Sequence, residues 1–163
     1  MSRNSLSSKE KTMATTATVS TRSVSQSQAS AIAGPVALLG RLFFALIFLA
    51  AAPNHFASQT IAYAASQGVP LASIAVPISG IIALLGGLSI LLGYHARIGA
   101  GLIALFLIGV TPMLHNFWTV GDPMARQMQM IMFMKNVSML GGALLITQFG
   151  AGPWSLDARQ KQS

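Results

Sequence analysis

The sequence predicts an all-α membrane protein: a four-transmembrane-helix bundle behind a disordered N-terminal tail. Of its 163 residues, 53% are hydrophobic and only 8% charged, whereas a soluble domain carries about 25% charged residues. Mean hydropathy is +0.62. The apolar residues also gather into four runs, each close to the roughly 17–25 residues a helix needs to cross a bilayer.

Residues 1–34 stand apart. They are rich in Ser, Thr and Gln, carry Arg3, Lys9, Lys11 and Arg22, and contain no apolar run. Such a segment buries too little surface to offset the entropy of ordering it, so it reads as a disordered cytoplasmic tail. Its Ser-rich, acid-poor character leaves an organelle transit peptide as the alternative, and it lacks the short apolar run and cleavage site of a secretory signal. Residues 35–157 form the transmembrane domain. The first span runs about Pro35 to Ala52, with a start near Ala31 as the alternative, and the second, Ala72 to Leu92, has no charge. The third, Ile98 to Leu114, is apolar apart from Thr111 and ends around Pro112; the fourth, Met128 to Gln148, holds a single charge, Lys135. The Leu92 to Ile98 link is short enough to force spans two and three into an antiparallel hairpin. Gly86-Gly87 and Gly141-Gly142 supply small residues where helices can approach closely. Residues 158–163 are a short basic tail.

Four spans place both termini on one side of the membrane. That side also receives Arg41, Arg97, Arg159 and Lys161, whereas the other has no Lys or Arg between Pro53 and Pro70 and only Arg126 between spans three and four. The excess of basic residues marks the cytoplasmic face, so the expectation is a multi-pass plasma (inner) membrane protein with both termini cytoplasmic. A pI of about 11.0 does not indicate nucleic acid, because the basic residues are scattered singly between apolar runs and form no face. The absence of cysteine excludes disulfides, thiol redox chemistry and thiolate metal sites. No metal site is expected either, since no histidine pair falls at ligand spacing within one helix.

Orientation brings a set of polar residues toward the outer half of the bundle. Asn54-His55 ends span one, and His115-Asn116 ends span three, followed by Phe117 and Trp118. Lys135 lies roughly 10 Å along span four from Met128, with Asn136 beside it and Asp122 and Arg126 ahead of the span. An ammonium in hydrocarbon is costly and in spanning helices commonly marks a functional site. Lys135 and His115 are therefore the candidate catalytic pair, and His55, Asn54, Asn116, Asn136 and Trp118 the candidate ligand contacts. Each also has an ordinary reading: boundary histidines, an interfacial Trp118, methionines as adaptable packing, and Asp122 paired with Arg126 at a helix start. On the inner side, Arg41, Arg97 and Asp157 read as a charge clamp closing the bundle, next to the helix-ending peptide GAGPWSLD.

The pieces GRLFFALIFLAAAPNHF, GGLSILLGYHARIGAGLIALFLI, HNFW and FMKNVSMLGGALLITQFGAGPWSLD resemble the DoxX family of small four-helix membrane proteins, over about Gly40 to Asp157. The matching positions are Arg41, Gly87, Gly93, Arg97, His115, Lys135, Asn136, Gly141, Gly142, Ser155 and Asp157. Ala83 stands where many of those proteins carry Glu, and His55 where Lys is common. The resemblance implies an inner-membrane oxidoreductase component, some members being linked to quinone and others to soluble redox partners. The leading expectation is thus a redox-associated membrane component binding a quinone-like molecule in the lipid bilayer. The alternatives are a non-enzymatic anchor or scaffold for a soluble partner or membrane subunit, and a small-solute transporter.

Overall fold

The computed structural model describes residues 31–161, so the polar segment over residues 1–30, with its expected disorder, lies outside the described residues, as do residues 162 and 163. Helix α1 covers residues 31–51 and continues as a tight 3-10 turn over Ala52–Phe56. Short α2 spans Ser58–Ser66. Two long helices follow, α3 over Ala72–Leu92 and α4 over Ala96–Leu114, then a single 3-10 turn at Phe117–Thr119. The longest helix, α5, is Pro123–Phe149, and α6 is Leu156–Gln160. The segments Ala31–Phe56, Ala72–Leu92, Ala96–Thr119 and Pro123–Phe149 are long and apolar enough to cross a membrane, and the described residues contain no strand.

Local chemistry explains where the boundaries depart from the hydropathy reading. Helix α1 starts at residue 31, the earlier of the two starts expected for the first span, and α4 begins at Ala96 rather than Ile98. Helix α5 begins five residues before Met128 because Asp122 caps it: its Oδ1 accepts from the Ala125 N–H at 2.7 Å, with Pro123 next in line. Both are preferred helix-start chemistry. Asp122→Ala should therefore cost about 1 kcal/mol, read as a small fall in the melting temperature of the detergent-solubilised protein. The sequence reading had no α2. Its apolar residues are few, but Ile61 and Ala64 fall three apart, hence on one face, and pack with Val69, Ala72, Val76 and Leu114 in a satellite cluster.

The core is built mostly of small residues, which draws the helices together. Phe48, Ala52, Ala83, Ile90, Ala100, Ile103, Ala104, Leu107 and Ala143 form its main cluster. Helix α4 packs against both α3 and α5. At the α3–α4 contact, a Cβ on Gly86 would stand 2.8 Å from the Ile103 side chain and 3.0 Å from the Gly99 carbonyl. Helix α1 closes the bundle: Leu49 lies over Gly87 of α3, and Phe44 lies over Gly142 of α5. One end of the bundle carries residue 31, the α3–α4 link and α6; the other carries the 3-10 turns, α2 and the α4–α5 loop.

Candidate functional site

At the loop end, α2, α3, α4 and the 3-10 turn after α1 enclose a cavity of about 230 Å³. Its walls are mainly apolar, from Ala64, Val69, Val76, Leu105, Phe106, Val110 and Leu114 among others, with His55, Thr60 and Ser79 supplying polar atoms. Small-molecule sites share this pattern of apolar walls with a few placed polar groups. His55 is held by Gly80 of α3, whose missing side chain lets the 3-10 turn lie against the helix; a Cβ there would be 2.6 Å from the His55 Cβ.

The Ser79 hydroxyl lies 2.7 Å from the Val76 carbonyl, which can only accept, and 2.8 Å from His55 Nδ1. With its one hydrogen given to Val76, the hydroxyl accepts from Nδ1–H, and this tautomer leaves Nε2 with a lone pair. The ring is steadied on one side by Phe106, with centroids 5.9 Å apart. The site can therefore accept a hydrogen bond from an O–H or N–H group on an otherwise apolar molecule.

Of the expected site residues only His55 lines this cavity. His115 pairs through Nδ1 with the Gln129 carboxamide oxygen at 2.8 Å, and Gln129 Nε2 lies 3.4 Å from the Tyr63 hydroxyl. This polar chain ties the end of α4 to α5 and α2. Trp118 packs edge-on with Phe117 and Phe133 at centroid distances of 5.2 and 5.9 Å. Asn54 is exposed, and its backbone carbonyl accepts from Ala57. Asn116 is half-buried, with its carbonyl accepting from Thr119. Neighbouring positions on a helix point about 100° apart, and this separates the fourth-span pair. Asn136 is buried at 7% exposure, whereas Lys135 is on the exposed face with its Nζ 3.3 Å from the Met132 sulfur. A lipid-facing lysine at this depth costs about 2.5–3.5 kcal/mol on insertion scales, and a thioether is a weak acceptor.

The termini end is a closed structural joint. Arg41 is 4% exposed and donates through Nη2 to the Trp154 carbonyl at 2.6 Å. Trp154 sits in the left-handed region at φ 58, and its ring lies so close over Gly34 that a Cβ there would approach within 2.6 Å. Asp157 accepts from the His95 and Ala96 N–H groups at 2.8 and 3.1 Å, capping α4 from 62 and 61 residues away in the chain. It also attracts Arg41 electrostatically. Gly93, at φ 64, leaves room for the Arg41 guanidinium, which a Cβ would strike. Arg97 lies over Gly150 and lines a groove together with His95, Asp157 and Lys161.

Among the described residues, no group of three or more His, Cys, Asp or Glu could hold a metal. Ser79, Thr60 and Gly109 line the pocket and escaped the sequence reading. Ser79 left a trace there, as a polar residue one position before a glycine in a charge-free span.

The family model that matches the chain is that of the SURF4 family, over residues 10–163. This finding overturns the resemblance to the DoxX family. The chain is 34% identical over 101 residues to the inner membrane protein YphA of Escherichia coli (strain K12), covering 61% of this chain and 71% of that protein. No solved structure matches. With its four apolar helices, the chain is a multi-pass integral membrane protein of inner-membrane type.

Proposed function

As the chain belongs to the SURF4 family, and is similar to an inner membrane protein, we propose that it binds a small, largely apolar molecule in the loop-end pocket. The observation that carries this reading is His55, fixed by Ser79 with Nε2 free to accept, in an otherwise apolar cavity of about 230 Å³. The ligand class is a compact lipophile carrying an O–H or N–H donor. A quinol headgroup is the redox-active member of this class, and a hydroxylated lipid fragment is the redox-silent one. In this reading both termini face the cytoplasm, supported by Arg41, Arg97, Arg159 and Lys161 at the termini end against Arg126 alone at the other. The pocket then opens toward the outer leaflet.

The test is mass spectrometry of lipophiles that co-purify in mild detergent. Gly109 lines the pocket, and a Cβ there would meet nothing within 4 Å, so Gly109→Leu adds bulk at the pocket wall with no clash at its Cβ. We expect it to lose the ligand at an unchanged melting temperature, whereas Gly101→Leu, equally open and outside the pocket lining, keeps it. His55→Ala should weaken retention about five- to tenfold, the worth of one net hydrogen bond of about 1 kcal/mol. Undiminished ligand in Gly109→Leu would refute the pocket. The identity of the retained compound decides between quinol and redox-silent lipophile.

A further inference from the structure

We propose that the outward face of α5 docks a transmembrane helix of a different protein, one that carries an Asp or Glu opposite Lys135. Ile131, Met134, Lys135, Ser138, Gly141 and Leu145 recur at three- and four-residue intervals along one stripe of α5, the spacing of a helix-packing face, and all six are exposed. Lys135 is one residue from the middle of this 27-residue helix, about 18 Å from its start and about 21 Å from its end. A hydrocarbon layer about 30 Å thick, centred on the helix, leaves Lys135 near its midplane. The four-methylene stem that lets a lysine near a helix end reach the headgroups does not span that depth, so a lipid phosphate is out of reach.

Among the described residues Lys135 has no counter-ion. Of the chain's three acids, Asp122 caps α5 at the loop end and Asp157 caps α4 at the termini end. Glu10 precedes the first span in the sequence. The described residues of a second copy therefore bring no carboxylate to mid-membrane depth, and a symmetric α5–α5 pairing would set lysine against lysine. Charge complementarity thus selects a foreign helix bearing a carboxylate. The stripe also suits close approach: Ser138 and Gly141 follow the lysine at three and six residues, and a Cβ on Gly141 would meet nothing within 4 Å. Small residues at such positions let helix backbones come together.

The experiment is photo-crosslinking in membranes of cells that naturally produce the full chain, with a benzophenone amino acid at Ser138. The expected adduct is to a different membrane protein, through a spanning segment that contains Asp or Glu. Its yield should fall about tenfold in Lys135→Met, survive in Lys135→Arg, and fall likewise when the partner's acid is changed to its amide. Lys135→Met removes a charge from lipid and leaves the packed faces of α5 untouched, so loss of the adduct reports docking and not unfolding. An adduct only to lipid or to a second copy, a partner segment without an acid, or a yield indifferent to Lys135→Met would each overturn the proposal.

Discussion

Asp157→Ala is expected to lower the melting temperature of the detergent-solubilised protein by roughly 10 °C, the equivalent of about 3–4 kcal/mol for a chain of this size. Two costs combine. The carboxylate accepts from the N–H groups of His95 and Ala96 at the start of α4, and loss of such a cap costs about 1 kcal/mol, up to about 2. It is also the negative charge that acts on buried Arg41. Only Nη2 of that guanidinium has a hydrogen bond; Nε and Nη1 are buried without one. A buried cation in that state depends on nearby opposite charge, and taking away one partner of a buried pair costs about 3–5 kcal/mol where the contact is direct. Asp157→Asn should fall between, since the amide keeps one acceptor and no charge. Arg41→Met removes the stranded guanidinium, so the double variant Arg41→Met/Asp157→Ala should be less destabilised than the sum of the single changes. Strict additivity would show that Asp157 acts as a cap alone.

That joint was legible in outline because its residues are polar ones beside apolar runs, and burying such groups calls for partners. The sequence reading gathered Arg41, Arg97 and Asp157 as a clamp; in the structure Asp157 is a remote helix cap beside Arg41 and lines one groove with Arg97. The spans were legible for a similar reason, since a bilayer filters on length and apolarity. Azimuth around a helix was not. Depth placed His55, His115 and Lys135 in one half of the bundle, but which face each presents depends on how the helices pack. Thus His115 turned to Gln129 of α5, and Lys135 turned outward while Asn136 turned in. The family resemblance erred: the family model that matches is SURF4. Ala83, which looked like a missing acid, is a core residue at 1% exposure.

Gly80→Ala should cut ligand retention by about tenfold or more, although alanine is otherwise favoured over glycine in a helix by about 1 kcal/mol. The added Cβ would stand 2.6 Å from the His55 Cβ and 3.2 Å from the Ala52 carbonyl. Neither contact is the free end of a flexible side chain, so the whole 3-10 turn must move away from α3. His55 would then part from Ser79, its ring would lose the orientation that aims Nε2, and the pocket would widen at that wall. Overpacking of this kind costs about 1–3 kcal/mol, so the melting temperature should fall as well, unlike in Gly109→Leu. A second change separates the two effects. His55→Gly removes the Cβ that Gly80→Ala strikes, so the pair should regain most of the lost stability while ligand stays lost, there being no imidazole to accept its hydrogen bond. If the pair regains ligand as well as stability, shape alone holds the molecule and His55 is only part of the wall.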